Sequence, residues 1–212
     1  MDSEAWSFII GQGESQRYDL KGPMEWNKSS RPELLKDLAA LANTQDGGAL
    51  IIGVEDISHK VLGLSPEQLA SFDATEIGEA VKKYFVPAFQ VGVEKPEIDG
   101  KALACLVVKE FDPDPVICDT EIKDTQQKLV VKAGTVLTRT LQAQSTVCGP
   151  VEMRALLGRG ILKRRNELLE QIRQLVGTPA TTSALGGVPD WAKQSLENWI
   201  EFSKIGGRPR GK

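Results

Sequence analysis

A carboxylate at Glu14, a second at Asp19 and an ammonium at Lys21 fall within the short string ESQRYDLK. In an extended strand side chains alternate between faces, so Asp19 and Lys21 share one. A carboxylate beside an ammonium suits metal-dependent hydrolysis. The acid holds Mg²⁺, and the lysine orients water or steadies a phosphate. Glu14 lies five residues before Asp19, and neither a straight strand nor a helix puts it on that face. The preceding Gly11-Gln12-Gly13 permits the bend that would bring it there. The same string also reads as an ion pair on an edge strand, since acid-x-Lys is a common pattern.

Three further features carry chemistry or turns. In ANTQDGGALIIGVED, Gly47 or Gly48 supplies a helix C-cap or lets backbone amides approach a phosphate. Glu55 and Asp56 stand at the exit of the apolar strand, where carboxylates serve as ligand donors and equally as turn formers. Arg159, Lys163, Arg164 and Arg165 crowd one late helix. They read as a phosphate-tracking face or as a solvated face paired with nearby Glu167 and Glu170. Arg139, in GTVLTRT, contacts phosphate or caps a sheet edge.

Composition narrows the classes. The 212 residues carry a net charge of −3, so nucleic-acid binding would rest on local basic patches. A hydrophobic fraction of 41% supports a packed core. His59 is the one histidine, which excludes sites needing a His pair. Cys105, Cys118 and Cys148 are far apart and odd in number, against a disulfide framework or a zinc site. No apolar run approaches the ~20 residues of a membrane span. The opening MDSEAWSFII lacks the pattern of a signal peptide, so a cytoplasmic, reducing setting is expected.

The elements that would position these groups follow from periodicity. A short lead-in ends at Gly11–Gly13, and a strand runs from Arg17 to Lys21. A helix starts with Ser30 as cap and Pro32 in its first turn, carries Leu34, Leu35, Leu38 and Leu41, and stops at Asn43. ALIIGVED is a buried strand. Ser65-Pro66-Glu67-Gln68 opens a helix, or two broken near Asp73. The Asp99-Gly100 turn joins two strands, and two more surround Gly134. The longest helix covers 150–176. These elements predict an α+β domain over 1–176, a mixed sheet of hairpins packed with helices. A linker over 177–189, a helix over 190–205 and a basic tail over 206–212 are expected to follow.

Taken in order, ESQRYDLK, ALANTQDGGALIIGVED and VLGL resemble the Schlafen core, in its bacterial AlbA-type branch. GTVLTRT and GPVEMRALLGRGILKRR are similar to that family's later strand and closing helix. The resemblance covers about residues 7–170. It implies an α+β fold that binds RNA or DNA in a basic groove. Some Schlafen members are endoribonucleases that use three acidic residues and Mg²⁺ or Mn²⁺. Carried over by motif, these acids are Glu14, Asp19 and Asp56, with Lys21 as the family lysine. Asp19 stands where glutamate is usual. The reading is a metal-dependent endonuclease on RNA more than DNA. The alternatives are a non-cleaving binding module, or a scaffold that docks a partner through the Trp191–Ile200 helix. No P-loop occurs. Larger family members pack two related lobes around one groove, and this chain has one lobe, so a homodimer is expected, with Trp191, Trp199 and Ile200 as interface material.

Overall fold

The computed structural model describes residues 3–177. The expected linker (apart from Gly177), the helix over 190–205 and the basic tail lie outside the described residues. In chain order the elements are α1 (Ser3–Gln12), β1 (Tyr18–Lys21), α2 (Arg31–Ala42), β2 (Gly48–Ile52), α3 (Pro66–Ser71), α4 (Ala74–Tyr84), β3 (Phe85–Val86), β4 (Val91–Glu94), β5 (Glu97–Ile98), β6 (Lys101–Ala102), β7 (Ala104–Val108), β8 (Ile117–Cys118), β9 (Ile122–Lys123), β10 (Leu129–Val131), β11 (Leu137–Arg139), β12 (Ser145–Val147) and α5 (Pro150–Gly177). The fold is α+β, with one mixed sheet and several two-stranded ribbons.

The main sheet has the order β1-β2-β7-β4. β1 and β2 are parallel, while β7 is antiparallel to both β2 and β4. Parallel neighbours need a crossover, and α2 supplies it. Every residue of β2 is buried. Its side chains alternate between two cores: Leu50 and Ile52 pack with Leu34, Leu38 and Leu41 of α2, and Ala49 and Ile51 pack with Trp6, Ile9 and Ile10 of α1. A strand covered on both faces must be apolar throughout, as this one is. Each fully buried Leu or Ile contributes about 1.5–3 kcal/mol. Cys105 of β7 joins the α1 core as a fully buried thiol.

Local signals explain the boundaries. Ser65 forms the capping box: its Oγ accepts from Gln68 N at 3.2 Å, and Gln68 Oε1 accepts from Ser65 N at 2.9 Å. The helical pattern breaks at Asp73, whose Oδ1 accepts from the amides of Thr75 and Glu76, so α3 and α4 are separate helices. Asp99 and Gly100 both have positive φ, 51° and 71°, as a primed hairpin turn requires. Ser30 departs from its expected role. It stands at the N-cap of α2 in a helical conformation and makes no side-chain cap. Its Oγ accepts from Asn27 N at 3.2 Å instead, closing the turn before the helix.

The end of α2 is tied to the rest of the domain by one amide. Asn43 is fully buried. Its Nδ2 donates to the carbonyls of Val116 and Leu137 at 2.8 and 2.9 Å, and its Oδ1 accepts from Val116 N at 2.9 Å. Gly47 has φ 70°, and a Cβ there would lie 2.2 Å from Val108 O. A Cβ on Gly48 would lie 2.1 Å from Arg17 O. Both glycines therefore serve the turn and close backbone approach.

The chain divides into two compact units, Met1–Arg164 and Arg165–Lys212. The first holds α1–α4 and all the strands among the described residues. The described part of the second is the run of α5 to Gly177, in which Arg173 and Glu170 ion-pair at 3.4 Å. Among the described residues, no helix is long and apolar enough to cross a membrane.

Candidate active site

Glu14 reaches the face of β1 because the chain folds back between Gly13 and Tyr18. Gly13 has φ 77°, and a Cβ there would meet the His59 ring at 2.4 Å, so only glycine fits this bend. Ser15 Oγ then accepts from the amides of Arg17 and Tyr18, each at 3.2 Å, and Ser15 N donates to Tyr18 O at 2.9 Å. That loop turns Glu14 onto the strand, where its Oε1 accepts from Leu20 N at 3.0 Å. Asp19 and Lys21 project from β1 on one face, with Lys21 Nζ 2.9 Å from Asp19 Oδ2. Asp56 follows β2 in a loop held by Gly53 N and Val54 N, which both donate to Lys21 O at 2.9 Å.

Glu14, Asp19, Lys21 and Asp56 line one cavity of about 550 Å³. Asp56 is exposed at its rim. Glu55 is not part of the lining, and its carboxylate accepts from Ser58 Oγ. Two further residues shape the floor. Arg139 of β11 is 2% exposed, and its Nη2 donates to Asp19 Oδ1 at 3.3 Å, Ser15 O at 3.2 Å and Tyr18 O at 3.4 Å. Expected at a phosphate or a sheet edge, Arg139 here braces the acidic site from below. Asp37 of α2, 5% exposed, lies 3.4 Å from Lys21 Nζ. Sequence reasoning missed Asp37. Its signal was spacing: it sits three after Leu34 and four before Leu41, a carboxylate on the apolar face of α2.

The carboxylates divide their protons unequally. Burial, then the hydrogen bond to Asp19, push the Glu14 carboxyl up to about 7 from its ordinary 4.5, and the nearby charges of Asp19 and Asp56 add to this. For Asp19, burial alone would raise the carboxyl. The hydrogen bond from Glu14 and the charges of Lys21 and Arg139 outweigh it and hold Asp19 below its usual range. The two neighbouring carboxyls are thus driven apart in proton affinity, Glu14 upward and Asp19 downward. Asp37 is raised, chiefly by burial, with the Asp19 charge adding and Lys21 opposing. Burial disfavours the Lys21 ammonium, yet the charges of Asp37 and Asp19 prevail and raise it.

Five carboxylates line the cavity (Glu14, Asp19, Glu33, Asp37, Asp56) against three cations (Lys21, Lys36, Arg139). A phosphodiester would meet net negative charge there unless a cation accompanied it. Asp19 Oδ2 is buried and, although it is ion-paired with Lys21, has no aligned hydrogen bond. Among the described residues no group of three His, Cys, Asp or Glu is arranged to hold a metal ion. A divalent cation entering here would have at most two of these carboxylates as ligands, Glu14 and Asp19 being the neighbouring pair. Mg²⁺ is commonly held in this way, by one or two carboxylates with water and substrate phosphate filling the shell.

The basic residues of α5 are engaged elsewhere. Arg159 Nε lies 2.7 Å from Glu110 Oε1, and its Nη2 donates to Asn43 O at 2.6 Å. Lys163 Nζ lies 3.3 Å from Glu110 Oε2 and donates to Phe111 O at 2.5 Å. Arg164 Nη2 donates to both carboxylate oxygens of Asp114, at 2.6 and 2.7 Å. Arg165 is exposed. Arg159, Lys163 and Arg164 do not line the acidic cavity.

The family model described as Schlafen, AlbA_2 matches residues 14–142, more than half of the chain. The chain belongs to that family. The matched segment of this AlbA_2 chain opens at Glu14 and includes Asp19, Lys21, Asp37, Asp56 and Arg139, while the basic run of α5 falls beyond it. No curated protein is significantly similar. Among solved structures, the DIP2311 protein from Corynebacterium diphtheriae is 19% identical, with a TM-score of 0.41 over 62% of this chain and 22% of its own. The N-terminal domain of a RecG-related protein from Nitrosomonas europaea is 20% identical, with a TM-score of 0.35 over 52% of this chain and 73% of its own. The AlbA_2 chain thus spans about a fifth of the DIP2311 chain.

Proposed function

We propose that this AlbA_2 chain handles nucleic acid, and that its acidic cleft is a divalent-metal-dependent endonuclease site acting on RNA. One observation carries the reading: the bend at Gly13 brings Glu14 onto Asp19 and Lys21, with Asp56 at the rim of the same cavity. Mg²⁺ or Mn²⁺, held by Glu14 and Asp19, would offset charge on a phosphate and make bound water more acidic. Lys21, with its ammonium raised by two carboxylates, remains charged and can donate to a phosphate oxygen. Glu14, pushed up to about 7 by burial and its acidic neighbours, would release its proton when it takes the cation, so metal binding would be favoured as pH rises. Arg139 holds Asp19 ionised and in place. A second reading, a module that binds without cutting, is favoured by one specific feature: Asp19 is already neutralised by Lys21 and Arg139.

Incubation of tRNA, single-stranded RNA and DNA with Mn²⁺ separates the two. Cleavage by the wild type that is lost in Glu14→Ala supports the nuclease. Binding of the same substrates without cleavage supports the module. A thermal melt supplies an independent readout: millimolar Mn²⁺ is expected to raise Tm in the wild type and not in Asp19→Asn. An unchanged wild-type Tm would remove the metal from the proposal.

A further inference from the structure

A second cavity, of about 490 Å³, has the opposite charge. Lys28 approaches it from the turn before α2, Arg31 from the first turn of α2, Lys83 from the last turn of α4, and Lys123 from β9. The one carboxylate in its lining is Asp124. That group is occupied in the β9–β10 turn, where Oδ1 accepts from Gln126 N at 2.8 Å and Lys128 N at 2.9 Å. Two of the cations have partial partners: Arg31 is 4.0 Å from Glu76, and Lys123 is 3.2 Å from Glu121. Among the described residues Lys28 and Lys83 have no ion pair within 4.0 Å. Arg31 Nε is buried and lacks a hydrogen-bond partner. Its guanidinium stacks over the Trp26 ring at 5.3 Å, which restricts its orientation.

The walls are not only charged. Pro32, Leu35 and Ile122 lie behind the cations with almost no exposed surface, and the half-buried Tyr84 ring, with Lys83 Nζ 4.9 Å from its centroid, is the aromatic surface the cavity offers. Four cations beside one half-buried aromatic ring suit a ligand with a polyanionic end and a flat, uncharged end. The volume lies in the range of small-ligand sites. α2 adds the positive end of its dipole, and Ser30 does not cap it with its side chain. The first turns of α2 thus serve two sites: Glu33, Lys36 and Asp37 line the acidic cleft, while Arg31, Pro32 and Leu35 line the basic cavity.

We propose that this basic cavity is a binding site for a free nucleoside polyphosphate, its phosphates among Lys28, Arg31, Lys83 and Lys123 and its base against the Tyr84 ring. The site is independent of the acidic cleft, so absence of Mn²⁺-dependent cleavage leaves the inference standing. Isothermal titration of the full chain with ATP, GTP and inorganic pyrophosphate, without divalent metal, tests it. Saturable binding of a nucleoside triphosphate is expected, tighter than that of pyrophosphate. The double variant Lys83→Ala, Lys123→Ala is expected to weaken it by about tenfold or more, the scale of losing charge-assisted contacts. Both lysines are exposed, so its melt should match the wild type. Glu14→Gln should leave the affinity unchanged. Short oligonucleotides with and without a 5′-phosphate distinguish the source of the phosphate. Binding of an oligonucleotide that depends on Lys83 and Lys123, with none of the mononucleotides, would overturn the proposal. So would an absence of saturable heat at millimolar nucleotide, or unchanged affinity in the double variant.

Discussion

Glu14, partly buried beside Asp19, has its carboxyl pushed well above the ordinary range, and this has a consequence for stability. An unfolded Glu14 titrates near 4.5, but in the fold it titrates near 7. Between those values the folded chain keeps a proton that the unfolded chain releases, so stability contributed by this group falls as pH rises through that window. Asp19 acts in the opposite sense and lower on the scale. Its carboxyl is held below 3.8, so it adds stability above that value, which is lost under strong acid. Glu14→Gln is therefore expected to flatten the decline in stability between pH 5 and 8. Because Glu14 is partly solvated, the effect should be about 1 kcal/mol. Urea melts at the two pH values read it, and an unchanged difference would mean that Glu14 does not set the slope. At this scale the string ESQRYDLK made Asp19 and Lys21 legible through strand alternation, and Gly13 made the bend legible. The spacing of Asp37 from Leu34 and Leu41 marked it as a carboxylate on a buried face, but that this face meets Lys21 follows only from α2 crossing over β1. Arg139, expected at a phosphate or a sheet edge, is buried instead, and a short strand does not announce which face is covered.

Among the elements, the connection from α2 to β2 is the most tightly constrained. It must turn sharply and then pass against two other backbones. Gly47→Ala is expected to cost about 2–4 kcal/mol, combining a positive φ with a Cβ 2.2 Å from Val108 O. Gly100→Ala is the comparison: φ is 71°, but nothing lies within 4 Å, so about 1 kcal/mol is expected. Equal losses in thermal melts would mean that conformation alone governs both sites. Helix boundaries were legible wherever a side chain satisfies terminal amides, as at Ser65 and Asp73. Ser30 had the right residue type and the wrong partner, because the turn at Asn27 claims its hydroxyl. The Asp99-Gly100 turn was legible, but its strands are divided: β5 and β6 form a short ribbon, and the longer pairing is β4 with β7.

For the molecule as a whole, the apolar character of β2 announced a sheet covered on both sides, while the identity of its neighbours came only from tertiary pairing. The expected homodimer rests on Trp191, Trp199 and Ile200, outside the described residues, and sedimentation at micromolar concentration reads it directly. Asn43 has a wider meaning. Its one side chain joins the end of α2 to Val116 and Leu137, closing separations of 73 and 94 residues. Val116 lies outside any regular strand, yet its amide donates into a fully buried partner. Loop amides ordinarily exchange with solvent deuterium through small local openings. This one cannot open without parting three distant segments together, so it should exchange only when the whole domain unfolds, alongside the amides of β2. Exchange of Val116 at the rate of the surface loops would mean that the segment from Phe111 to Cys118 detaches alone.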